Sequence, residues 1–186
     1  MSNDYPRDMV GYGRHWPDPA WPGGARIAVQ FVINHEEGAE LNILHGDPAS
    51  ESLLTEFGFV SPRVGQRYLP VESMFEFGSR AGFWRLHRLF TERQVPITIF
   101  GVASALERNP GPVAAMVAAG WEVASHGWKW IDHQDLPEAE EREHIRKVVE
   151  IHERVVGARP LGHFLGRRSP NTVRLVAEEG GFVYSQ

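Results

Sequence analysis

The sequence predicts an α/β fold built on a parallel sheet, either open or closed into a barrel. Three observations carry that prediction. Short, nearly all-apolar runs recur along the chain, as strands covered on their faces require. Amphipathic helical segments separate them, the rhythm of strand, crossover helix and parallel strand, for which the right-handed crossover is the rule. Three of the runs end in polar clusters, and parallel α/β folds place their ligands at the carboxyl ends of their strands.

Taken in order, residues 1–24 crowd proline, glycine and aromatics and close on His15-Trp-Pro-Asp-Pro-Ala-Trp-Pro-Gly-Gly24, too rich in breakers for regular structure. They read as an ordered arm around the core with Trp16 and Trp21 buried, ahead of the sheet-forming part over 25–186; the two are expected to form one domain. Residues 26–34 read as the first strand, because Ile27-Ala-Val-Gln-Phe-Val-Ile33 is too apolar for a half-exposed one. Residues 39–70 keep no period and form a long excursion, ordered on account of its aromatic and aliphatic content. Residues 72–93 read as a helix with Phe83, Leu86, Leu89 and Phe90 at helical spacing, stopped by Pro96. Strands follow at 97–102 and 121–125, with a helix at 112–119 between them that Gly120 closes. Residues 137–156 read as a charged helix capped by Gly157, with Ile145, Val148, Val149, His152 and Val156 on one side and the run 138–146 as its solvated face. A strand at 160–165, a helix at 171–179 and a strand opening at 182–184 complete the alternation. No room for a helix follows, so the sheet is open or the chain is a fragment of a barrel.

Composition narrows the function. With 186 residues, 42% hydrophobic and 23% charged, the chain fits one soluble globular domain. A net charge of -5 without a Lys/Arg block argues against nucleic acid and against an anionic membrane surface as partners. No basic leader precedes an apolar run, and no stretch approaches the roughly 18 apolar residues of a span, so a cytoplasmic protein with a small-molecule substrate is expected. With no cysteine, any metal would rest on histidine and carboxylate ligands.

The three polar strand ends are Asn34-His-Glu-Glu37, Ser125-His-Gly127 and Gly166-Arg-Arg168, and they are expected to converge. Two glutamates beside a histidine suit general-base hydrolysis, in which a desolvated carboxylate takes a proton from an attacking water. Successive strand residues face opposite sides, so Glu36 and Glu37 share a pocket only if the strand has already turned, and an isolated Glu-Glu pair is more often a solvated turn. His126 suits a metal ligand, an acid or an oxyanion partner, or equally a hydrogen-bonded core histidine. The ligand one helical turn on would stand at position 130, which is Trp130; that weakens a metal site. His35 and His133 are candidates by type only. Arg167 or Arg168 could hold a carbonyl or carboxylate, with one of the two expected at the surface.

Together with Asp4-Tyr-Pro-Arg-Asp-Met-Val-Gly-Tyr-Gly-Arg14, His45-Gly-Asp47, Glu76-Phe-Gly-Ser-Arg-Ala-Gly-Phe-Trp-Arg85, Ser125-His-Gly-Trp-Lys-Trp-Ile-Asp132 and Gly166-Arg-Arg-Ser-Pro-Asn-Thr172, these residues resemble the polysaccharide deacetylase (NodB-homology) superfamily. Within it they look most like the metal-independent allantoinase branch, over essentially the whole chain. The resemblance implies a distorted (β/α) barrel, incomplete and truncated at its C-terminus here, since such barrels reach roughly 300 residues. Where the family carries Thr-Phe-Asp-Asp-Gly, with a base and then a metal ligand, Glu36 would be the base and Glu37 the ligand. The family's metal histidines at i and i+4 match His126 and Trp130, so one ligand is lost. By resemblance the chain opens allantoin to allantoate in purine catabolism with no cofactor. Glu36, Glu37, His126 and Arg167 would be catalytic, and Asn34, His35, Trp130 and His163 would contact substrate. A tyrosine is usual in the branch where His35 and His133 stand, and a Trp-Tyr pair where His163-Phe164 stands; the extra histidines could alter substrate choice or metal affinity. The alternatives are a carbohydrate deacetylase or cyclic imide hydrolase using a divalent metal such as Zn on Glu37 and His126, and an inactive fragment or binding module. A homo-oligomer is expected.

Overall fold

The computed structural model describes residues 9, 11–53, 55 and 58–186. Most of the 4–14 motif therefore lies outside the described residues. The chain divides into two units, Met1–Gln30 and Phe31–Gln186. In the first, a single 3-10 turn, Pro22–Gly24, is the regular element among the described residues, as its prolines and glycines dictate. Trp16 and Trp21 are 82% and 41% exposed, and Ile27 and Val29 are exposed too. The burial expected of the arm's tryptophans and of the start of the first strand is therefore not found.

The second unit holds five strands, β1 (Val32–His35), β2 (Thr98–Gly101), β3 (Glu122–Ser125), β4 (Gly162–His163) and β5 (Tyr184–Ser185), each parallel to the next and hydrogen-bonded in chain order. A parallel sheet whose order never reverses has the winding of a barrel wall, not of a doubly wound sheet. The expected strands are all present, and each is shorter than its apolar run. For β1 the limit is the neighbour, because ladder pairing with β2 begins only at Val32 opposite Thr98.

The helices are α1 (Leu69–Phe77), α2 (Phe83–Glu92), α3 (Ala103–Arg108), α4 (Pro110–Ala118), α5 (Glu138–Val155) and α6 (Thr172–Glu179). A π-helical turn, Gly78–Gly82, joins α1 to α2. The six residues of α3 are too few to show a period, and Asn109-Pro110 separates them from α4, so this helix was not expected. On α2 the inward stripe is Phe83, His87 and Phe90, while Leu86 and Leu89, expected inside, lie at its margin and are exposed. Among the described residues no helix is long and apolar enough to cross a membrane.

The sheet's two faces do different work. On the helix side Ile33, Ile99 and Val123 pack with Phe83, Leu106, Val113, Met116 and Trp121. A side chain as fully enclosed as Ile99 or Met116 contributes about 1.5–3 kcal/mol. The other face carries layers, as a barrel interior does. At the amino ends of the strands Thr98 Oγ1 and Tyr184 OH both donate to Glu122, at 2.8 and 2.9 Å. Above them Phe100 stacks on Phe164 with ring centroids 4.9 Å apart. Polar groups top the stack at the carboxyl ends.

The run 138–146 is not wholly solvated, contrary to the sequence expectation. Glu141 is 1% exposed, and its carboxylate accepts hydrogen bonds from Ser169 Oγ at 2.6 Å and from Thr172 Oγ1. A buried carboxylate needs such donors, and these two fasten α5 to the start of α6.

Candidate active site

At the carboxyl ends of β1, β3 and β4 a cavity of about 280 Å³ is walled by Asn34, Glu36, His126, Trp130, Phe164 and Arg167. Three predicted strand ends thus meet. The alternation of β1 decides which of its residues arrive: Asn34 and Glu36 face the cavity, and His35 between them turns to the helix side. Immediately after Glu36 the chain turns, with Ala39 N–H donating to the Glu36 carbonyl at 2.8 Å and Gly38 at φ +100°, a conformation that favours glycine.

Glu36 and His126 form the centre. His126 Nε2 lies 2.9 Å from Glu36 Oε1, and Asn34 Nδ2 donates to the same oxygen at 3.1 Å. On the far side of the ring, His126 Nδ1 faces the Phe164 carbonyl at 3.2 Å. A carbonyl can only accept, so Nδ1 carries a proton and Nε2 is the nitrogen that exchanges one with Glu36. The Phe164 ring also lies 4.8 Å from the imidazole and limits its rotation. Glu36 Oε2 has no hydrogen-bond partner among the described residues, which leaves it open to a water or substrate proton.

Arg167 reaches the wall tied down: Nη2 donates to the Trp130 carbonyl at 2.8 Å, and the guanidinium lies over the Trp130 indole at 4.8 Å. Its planar fork keeps further N–H groups for a ligand. Arg168 is exposed, the surface member expected of that pair. Trp130 is buried, edge-on to Phe75.

Four candidates are not in this cavity. The Glu37 carboxylate turns the other way, toward His35 Nδ1 at 3.6 Å and against Gly78, where a Cβ would come within 2.3 Å of Oε1. Its Oε2 accepts the Glu36 backbone N–H at 3.2 Å, so it fixes the turn that carries Glu36. Burial raises the Glu37 pKa. His35 is 1% exposed, edge-on to Phe83, and burial pushes it down to about 4; it is neutral, and its approach to Glu37 is no ion pair. His163 is likewise 1% exposed and lowered to about 4 by burial, with Nδ1 3.0 Å from Ser125 Oγ. In both cases the next residue with the opposite facing, Asn34 or Phe164, is the one that reaches the cavity. His133 too is buried away from it, beside His144, with its pKa lowered by burial. The added histidines therefore line the helix side of the sheet. Sequence reasoning missed Leu53, Lys129 and Phe164 in the wall. Alternation could have found Phe164, whereas Leu53 arrives on the excursion and left no local signal.

Residues 68–184 match the sequence profile of the polysaccharide deacetylase family. The chain belongs to that family. A protein of Schizosaccharomyces pombe named as a polysaccharide deacetylase is 40% identical over 176 residues, which cover 92% of this chain and 55% of that one. Among solved structures, PuuE allantoinase shares 54% identity at a TM-score of 0.92, covering 98% of this chain and 60% of its own. A structure from Pseudomonas aeruginosa PAO1 named for polysaccharide deacetylase shares 53% identity at a TM-score of 0.93, covering 98% and 61%. The chain spans 55% to 61% of the length of these relatives.

For a polysaccharide deacetylase, the divalent-metal set implied by the resemblance would be Glu37, His126 and residue 130. That set does not fit here. Glu37 lies on the other side of the turn from His126, Trp130 offers no ligand atom, and among the described residues no three His, Asp or Glu side chains are placed around one point.

Proposed function

We propose that this polysaccharide deacetylase homologue hydrolyses a ring C–N bond of a small cyclic amide, opening allantoin to allantoate. The observation that carries the proposal is the Glu36–His126 contact at 2.9 Å inside a cavity of about 280 Å³, with an indole where a second metal histidine would stand. The 54% identity to PuuE allantoinase supports the choice of substrate.

In the proposed reaction Glu36 Oε2 takes a proton from a water as its oxygen bonds to the ring carbonyl carbon. Charge growing on the carbonyl oxygen is met by N–H groups of Arg167. As the ring C–N bond breaks, His126 Nε2 delivers a proton to the leaving nitrogen and is restored through Glu36, so the water's proton ends on that nitrogen. Trp130 and Phe164 offer apolar faces to a flat ring. Asn34 holds Glu36 Oε1, which keeps Oε2 aimed at the water. The test is allantoin consumption by this chain with and without chelator. Turnover that survives chelation is expected, and turnover that requires an added divalent ion would refute the metal-free route.

The names of the Pseudomonas aeruginosa and Schizosaccharomyces pombe relatives favour a second reading, removal of an acetyl group from an acetylated sugar. Acetate release from an N-acetylglucosamine oligomer in place of allantoin consumption would select it.

A further inference from the structure

The excursion between β1 and α1 reaches the cavity at Leu53, and a chain of carboxylate contacts holds it there. Glu51, 2% exposed, accepts N–H groups of Ser52 and Leu53 on Oε1, at 2.8 and 2.9 Å, and of Leu41 on Oε2 at 3.2 Å. Asp47 Oδ2 accepts Asn42 N–H at 3.0 Å, and its Oδ1 pairs with Lys129 Nζ. Both members of that pair are largely buried, the side chains 16% and 7% exposed for Lys129 and Asp47. Lys129 stands in the cavity wall, three residues beyond His126. Its segment is rigid at the root, because Ala103 and Ser104 N–H groups hold the Gly127 and Trp128 carbonyls at 2.9 and 3.0 Å.

We propose that Asp47 and Lys129 form a latch that completes the substrate pocket. Asp47 is the positioning residue: it fastens residues 42–53 to the β3 end and aims the ammonium. Lys129 is the specificity-determining residue, donating to a carbonyl oxygen of a polar, ureide-class substrate. An ammonium has three N–H donors, and Asp47 takes one, so two remain for a ligand. Removing either partner leaves a buried charge uncompensated, so the loop and the pocket wall loosen together. The substrate half of the proposal rests on the ureide reading above; the latch half does not.

The experiment compares wild type with Asp47→Asn and Lys129→Met, and with the charge-keeping Asp47→Glu and Lys129→Arg. It reads hydrogen–deuterium exchange over residues 41–53 and steady-state allantoin hydrolysis. Exchange is expected to accelerate by at least about tenfold in both neutralised variants, since local opening governs it. KM is expected to rise at least about tenfold with kcat changed less than about threefold, and the charge-keeping variants should recover part of both effects. Where Lys129→Met does not fold, Lys129→Gln takes its place. Exchange unaltered in either neutralised variant, or KM unaltered at Lys129, overturns the proposal. If wild type does not open allantoin, the ureide reading fails by itself and the exchange measurement alone decides the latch.

Discussion

Replacing Glu36 by glutamine keeps an oxygen for Asn34 to grip but removes the basic one, so kcat/KM for allantoin should fall by about 10²–10⁴-fold in steady-state assays of allantoin consumption. Glu37→Gln should behave differently. Its amide oxygen can still accept the Glu36 N–H, and a loss within about tenfold is expected; inactivation equal to that of Glu36→Gln would contradict the division of labour at this turn. That two adjacent carboxylates serve different faces was legible from strand alternation alone, but not which of them faced inward. Position in the family motif singled out Glu36, and Glu36 is the one of the two that lines the cavity. The same kind of argument misplaced His35 and His163, because a match by position says nothing about the facing of a residue, and the two-residue period puts both on the helix side.

Between elements, Glu141 makes a buried polar fastening with Ser169 and Thr172. Glu141→Ala would take from two buried hydroxyls the acceptor of their protons and is expected to cost about 2–4 kcal/mol in urea denaturation, against little for the exposed Glu140→Ala. A cost no larger than that of the exposed neighbour would mean that the Glu141 hydrogen bonds add nothing to the junction of α5 and α6, which would then rest on packing and the exposed Arg142–Glu178 and Arg174–Glu138 pairs. In the sequence Glu141 is one acid among many on a charged helix. Its partners lie 28 and 31 residues away, so only the folded arrangement tells it from its neighbours. The long periodic helices were readable for the opposite reason, their pattern being local. The six-residue α3 was not, since it is shorter than two turns.

For the whole molecule, acid is the revealing variable. His35, His144 and His163 are each lowered to about 4, burial being the largest cause, and burial lowers His133 and His152 as well. A folded pKa below the unfolded value near 6.5 means that the unfolded chain binds more protons between about 4 and 6.5. Stability is therefore complete above about pH 6.5 and falls toward pH 4, by up to about 1.4 kcal/mol per pH unit for each such group. Glu37 and Glu40, raised by burial, work in the other direction above pH 4.5 and blunt the slope. Urea midpoints at pH 7, 6 and 5 should decline in that order; a flat series would show that these imidazoles are not neutral inside the fold. The parallel α/β sheet behind this buried row was legible in the rhythm of apolar runs and helices and its barrel-type winding only through the family resemblance, whereas the exposed tryptophans of the first unit were not legible, because composition records an aromatic ring without recording what covers it.

Gly78 lies 42 residues from Glu36 in sequence and takes no part in the proposed chemistry, yet the Glu37 carboxylate occupies the space a Cβ there would need. An alanine at that position suits the helical backbone and would displace the flexible end of Glu37 at small cost to folding. The displaced acceptor is the one that holds the backbone of the proposed base. A mutational scan scored by turnover would then flag a glycine inside a helix as if it belonged to the reaction, while the same scan scored by abundance would pass over it.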